Sequence, residues 1–351
     1  MPLVTAILGI LIAVATQSPP DTCRRAAEAN TKGNLVAAES LLQQCLSENP
    51  ADITPYLWLC ALYQSQGRDA ELHSVALRGL KRFPGEKRFY LTVGTRAGKE
   101  GQCATAVDVL SQGFERWPLD SALRDNLAQA LLCRGMNFLD EGDNEAAKSD
   151  LERVVELDPD NSEALLNLGR ALHNLQQSGE ALEVFDRAFE LNPKAALVQF
   201  HRGVALSALG RFDEAIEALN SELRSAPGHA PSYYFRGVAY FYEGDWDRSF
   251  ADLKTAVEGM PEFSDAVYRL GRCYDHFGMN EEAEAALRKS SHLDPSDVRP
   301  LYALGSLLSR TGREDEAQAM FKRAVDQYTA ENINSEPGTM QFHSTRKSGL
   351  D

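Results

Sequence analysis

Prolines recur through this chain on a fixed beat. They stand at 50, 84, 118, 159, 193, 227, 261 and 295, thirty-four residues apart except for one step of forty-one. Glycines at 33, 67, 101, 142, 210, 244, 278 and 312 keep the same beat, half a unit out of phase. Such a period is too long for one helix or strand and too short for a domain. Each unit must therefore be a supersecondary element that buries its apolar face by stacking on its neighbours.

The clearest unit runs from Ser162 to Ala195. Leu165, Leu168, Gly169 and Leu172 fall at i, i+3, i+4 and i+7, the spacing of one helical face. Ala181, Phe185 and Ala188 repeat that spacing after a break. Ser178 and Gly179 are read as the break, with Gly179 replacing the glycine missing at Gln176, and Asn192 and Pro193 end the unit. The leucine-rich face then has to fold back on the second helix to leave water.

Ser264 to Asp297 repeats the pattern with Val267, Leu270, Gly271, Tyr274, Ala283, Leu287 and Pro295. With its period of 34 and two helices per unit, the chain resembles the tetratricopeptide repeat, whose consensus carries Leu-Gly, Tyr, Ala, Phe, Ala and Pro in this order. The resemblance implies an all-α fold, a right-handed superhelical solenoid of helix-turn-helix repeats. Nine tandem units are expected over 18–331: 19–52, 53–86, 87–120, 121–161, 162–195, 196–229, 230–263, 264–297 and 298–331. The longer step gives 121–161 a seven-residue insertion. Matching Asn126, Leu127, Ala128 and Leu131 to Asn167, Leu168, Gly169 and Leu172 places it between Leu131 and Gly142. Seven residues make two turns and rotate a helix face by only about 20°, so Met136, Phe138 and Leu139 are expected to project as a ledge.

In this family the first helices line a concave surface that holds extended peptides. Carried over by the resemblance, that surface here would present Asn167, Arg170 and Asn174, then Phe200 and His201, then Tyr234, Phe235, Phe241 and Tyr242. Tyr268, Arg269, Arg272 and His276 follow, then Arg299 and Tyr302. Aromatic rings supply contact area at low entropic cost and arginines fork onto carboxylates, so the expected ligand is a peptide with apolar anchors and acidic groups. Clamps for acidic chaperone tails use lysines and an arginine around paired asparagines. Beside Asn167 this chain offers Asp125, Gln129, Leu197 and His201 instead, which excludes that clamp.

A net charge of −15 argues against nucleic acid as partner, since phosphate backbones require a basic footprint. Glu180, Glu183, Asp186 and Glu190 are read as a solvated outer face. The seven histidines show no metal-ligand spacing, and HExxH, CxxC, phosphate-loop and GxSxG motifs are missing from the sequence. Asp245 and Asp247 flank Trp246 just after a glycine turn, where acidic groups favour a helix dipole. The expectation is a non-enzymatic chain with no cofactor and no metal.

The opening residues 1–17 are apolar and uncharged, with Ala13, Val14 and Ala15 as a small-x-small cleavage signature. They are expected to be a signal peptide or apolar targeting segment for an exported, periplasmic or extracellular protein. An uncleaved membrane anchor and a buried first helix are the alternatives. Cys103 and Cys133 are equidistant from Pro118, and Cys23 and Cys45 from Asn34, as disulfide partners on antiparallel helices would be. Cys45 and Cys60 also straddle a loop, leaving two partners open for Cys45, and six reduced thiols are the alternative to both pairs. The polar stretch 332–351 reads as a disordered tail. The function expected is a protein-interaction scaffold that grips a peptide. The alternatives are a solenoid that self-associates through its last repeat, or a regulatory subunit of an enzyme complex.

Overall fold

The computed structural model describes residues 21–334, and within them eighteen helices and no strand. The expected leader at 1–17 lies outside the described residues, as does the expected tail beyond 334. No helix among the described residues is long and apolar enough to cross a membrane. The chain divides into two compact units, one through Asn167 and one from Leu168.

The first unit holds α1 (Asp21–Thr31), α2 (Leu35–Glu48), α3 (Thr54–Gln66), α4 (Asp69–Arg82), α5 (Lys87–Lys99), α6 (Cys103–Arg116), α7 (Ser121–Glu141) and α8 (Asn144–Leu157). The division falls within α9 (Ser162–Asn174). The second unit continues with α10 (Ser178–Leu191), α11 (Val198–Ala208), α12 (Phe212–Ser225), α13 (Ala230–Glu243) and α14 (Trp246–Gly259). It ends with α15 (Ser264–His276), α16 (Asn280–Leu293), α17 (Arg299–Arg310) and α18 (Glu314–Asn334). Hairpin partners such as α7 and α8, or α13 and α14, pack side by side. First helices of neighbouring hairpins also touch: α5 on α7, α11 on α13 and α15 on α17.

The recurring glycine of the first helices, preceded by leucine at Gly169, Gly271 and Gly305, has a packing cause. A Cβ on Gly169 would lie 2.4 Å from Phe185 Cε1, and one on Gly94 would lie 2.4 Å from Leu110 Cγ. Gly203 meets Leu219, Gly237 meets Leu253, Gly271 meets Leu287 and Gly305 meets Phe321 in the same way, always sixteen residues on. The glycine lets the two helices of a hairpin approach until a large side chain fills the gap. Fully burying such a side chain stabilises the fold by about 1.5–3 kcal/mol. In the second hairpin the sizes exchange: Cys60 takes the glycine position and Ala76 the large one, both buried.

Two expectations about local register are corrected. Gln176 itself adopts the left-handed conformation, with φ 63°, while Gly179 sits inside α10 and replaces nothing. The Gln176 amide donates to His173 O and the next one, Gln177 N–H, donates to Leu172 O, closing the helix end that glycine closes elsewhere. In α7, a continuous helix of 21 residues, Gly135 rather than Ala128 faces the second helix, approaching Leu151. The extra two turns therefore precede Gly135 as seen from α8. Leu139 is consequently buried, leaving Met136 exposed and Phe138 half-buried on the expected ledge.

Both cysteine pairs of the first unit are joined, Cys23 to Cys45 with Cα atoms 5.5 Å apart and Cys103 to Cys133 at 5.9 Å. Cys60 and Cys273 are buried free thiols, and burial pushes Cys60 up to about 12.

Candidate peptide-binding surface

The expected groove residues separate into buried and open sets. Asn167, in the first unit, is buried and donates through Nδ2 to Glu163 O at 3.0 Å. Phe200, 4% exposed, packs edge-on against His201, His229 and Phe235. Tyr234, 6% exposed, lies edge-on to Phe235 and to Phe263 at the mouth of the next hairpin. These three offer a partner almost no surface, which corrects their expected role, and residues of the following hairpin close over Phe200 and Tyr234. Arg170, His201, Phe235 and Phe241 are half-buried, and Asn174 is exposed.

The arginines are also committed inward. Asp265, buried near the start of α15, accepts from the Tyr234 hydroxyl, from Arg269 Nε at 2.6 Å and from Arg299 Nη2 at 2.7 Å. Burial alone would push the Asp265 carboxyl up, but Arg269, Tyr234 and Arg299 reverse this and hold it below the usual carboxylate range. Burial likewise opposes the charge on Arg269, and Tyr234 and Asp265 outweigh it. Arg299 also forks onto Asp297, and Arg272 donates to the Tyr268 hydroxyl at 3.2 Å. Forking by Arg269 and Arg299 onto a ligand's carboxylates is thus corrected to forking onto the protein's own. The same logic recurs between helices, where Arg236 pairs with Asp252 and Arg202 with Asp186.

Besides Asn174 and Arg299, what remains open is aromatic. Tyr242, 57% exposed at the end of α13, stacks on Phe212 with ring centroids 5.0 Å apart. One repeat on, exposed His276 stacks on Trp246 at 4.1 Å, and Phe277 beside it is 40% exposed. Phe241 lies edge-on to both Tyr242 and Trp246, and Phe250 to Phe277, so the rings form one ladder across three hairpin turns. Arg269 covers Phe241 and Tyr242 from 5.8 and 5.6 Å. Tyr302 on α17 adds a further exposed ring, 42% open, and Tyr268 is half-buried under Arg299.

Phe212, Trp246 and Phe277 were not among the groove residues expected from the sequence. The signal was present, since Phe212 and Trp246 both open a second helix and stand 34 residues apart. Asp245 caps α14, accepting from Arg248 N–H at 3.0 Å, which holds its carboxyl low and accounts for it structurally. No group of three His, Cys, Asp or Glu among the described residues could hold a metal ion. A cleft of about 490 Å³ opens in the first unit among Val107, Phe114, Leu127 and Leu131, and none of the expected groove residues lines it.

Models of the tetratricopeptide repeat match residues 138–199, 174–230, 240–299 and 298–328. The chain belongs to the tetratricopeptide repeat family. Its fold recurs in many solved structures. PilF of Pseudomonas aeruginosa is 17% identical over 60% of this chain and 99% of its own, with a TM-score of 0.51. A chain of the APC/C hetero-tetramer Cut9–Hcn1 is 15% identical over 85% of this chain and 57% of its own, at 0.53. YrrB, a tetratricopeptide repeat protein described as having an unusual peptide-binding site, is 20% identical over 52% and 94%, at 0.43. At these identities the likeness shows the fold alone. No curated protein sequence matches the chain. Tetratricopeptide repeats build protein-interaction scaffolds in general, and this chain has that architecture.

Proposed function

We propose that this protein is a non-enzymatic adaptor whose second unit binds a peptide through the aromatic ladder at Tyr242, His276 and Phe277. The observation that carries this reading is the exposure of those rings while Phe200, Tyr234 and Tyr240 of the same unit are buried. Large rings kept in water at one place, backed by the Trp246 and Phe212 stacks, are rigid anchors for apolar side chains. Because Arg269 and Arg299 are neutralised internally, apolar residues rather than carboxylates set the affinity.

Selection of peptides against the purified chain, followed by titration calorimetry, tests this. Tyr242→Ala combined with Phe277→Ala is expected to weaken the selected peptide at least about tenfold, the loss of one or two hot-spot contacts, with the helical circular dichroism unchanged. Unaltered affinity would remove the ladder from the site. Val325 and Tyr328 are exposed on α18, so a mass that rises with concentration in sedimentation would favour self-association through the last hairpin instead.

The apolar stretch at 1–17 and the two disulfides support export to an oxidising compartment as part of this reading. Intact mass of the protein from its native host distinguishes a cleaved leader from a retained anchor.

A further inference from the structure

The two disulfides of the first unit stand in different surroundings. Cys23 and Cys45 are fully enclosed, each 0% exposed. In the other pair Cys103 is buried at the first residue of α6, but Cys133, on the long helix α7, is half-buried and reachable from solvent. The lengthened α7 also carries Asn137, whose Nδ2 donates toward Cys103 Sγ at 3.7 Å. Beside Cys103 lies a cavity of about 250 Å³, walled in part by Gln102, Thr105, Asn137 and Phe138.

We propose that Cys103–Cys133 is a thiol–disulfide exchange site for small thiols, with Cys133 the sulfur attacked and Cys103 the sulfur that leaves. An incoming thiolate forms a bond to Cys133 Sγ while the Cys103–Cys133 bond breaks, and the electron pair of that bond goes to Cys103 as a thiolate. When the reagent is a dithiol, its second thiolate displaces Cys133 in turn. The reagent ends as a disulfide, and the protein has gained two electrons and two protons.

Exposure selects Cys133 for attack, because a nucleophile has to reach the sulfur in line with the bond it breaks. Departure of Cys103 is favoured by three features. The free N–H groups at the start of α6 stabilise negative charge, as helix N-termini do for thiolates generally. The Asn137 amide supplies a further donor, and the cavity gives the departing sulfur room. Glu141, a carboxylate on the same wall, stands eight residues beyond Cys133, about 12 Å along the helix axis. The Cys23–Cys45 pair also has a sulfur in the first turn of a helix, at Cys23 in α1, but both its cysteines are enclosed, so it serves as an internal control for access.

The experiment uses the full-length oxidised protein, briefly exposed to reduced glutathione without denaturant, quenched with N-ethylmaleimide and mapped by mass spectrometry. Glutathione on Cys133, maleimide on Cys103 and an intact Cys23–Cys45 bond are the expected products. Asn137→Ala, at an exposed position, is expected to slow the exchange about threefold, the effect of losing one weak hydrogen bond to charge. Three outcomes overturn the proposal: glutathione carried on Cys103, both disulfides reacting at one rate, or reaction only with a protein dithiol or after unfolding.

Discussion

Asp265→Ala is expected to destabilise the second unit by about 3–5 kcal/mol, the cost of leaving a buried partner charge uncompensated. Tyr234 is buried and the Arg269 side chain is only 12% exposed around this carboxylate, and the substitution orphans both. Arg299 is half exposed and keeps Asp297, so its arm contributes little to the loss. Asp265→Asn keeps an acceptor oxygen and is expected to cost about half as much. Urea unfolding with hydrogen exchange on α13 and α15 measures both. Because the Asp265 carboxyl is held below its unfolded value near 4, its contribution is fully present above that pH and is lost as pH falls through the lowered folded value. The gap between wild type and Asp265→Ala should therefore be constant from about pH 6 to 8 and shrink below about pH 4. A gap of equal size at pH 3 and pH 7 would refute the ionised network, and a neutral substitution would refute the network altogether.

That network shows where legibility in the sequence ends. The fold was readable because the period of glycines and large apolar residues is itself the packing rule: each recurring first-helix glycine meets a large residue sixteen positions on. The site was readable only as a set of positions. Tyr234, Tyr268 and Tyr302 occupy the same place in three successive repeats, yet the first is buried and the last exposed, since Phe263 and Asp265 close over Tyr234. Burial of a repeat position is decided by the next hairpin, and a single-repeat pattern carries no record of it. Arg299 and Asp265 are 34 residues apart, so a search for opposite charges at one full period would have found this pair. Arg236 and Asp252, sixteen apart, follow the same register as glycine and leucine. The insertion was misplaced because matching it from the Pro118 side ignores α8, which registers Gly135 on Leu151.

Exchanging sizes across a hairpin tests the packing rule directly. Phe185→Ala alone should cost about 3–5 kcal/mol, since it empties a fully buried ring site. Gly169→Leu alone should cost about 3 kcal/mol, because even its Cβ would fall inside contact distance of the Phe185 ring, outweighing the roughly 1 kcal/mol gained in helix propensity. Together the two changes reproduce the arrangement that Cys60 and Ala76 already show, small residue and larger one exchanged between the two helices. The double variant is expected to be more stable than the sum of the single losses by about 1–3 kcal/mol, the coupling of residues that share one space. Unfolding midpoints of the four proteins in the cycle give that coupling. Additive losses would mean that Gly169 and Phe185 are tolerated separately, and that the hairpin does not depend on matching a small residue to a large one.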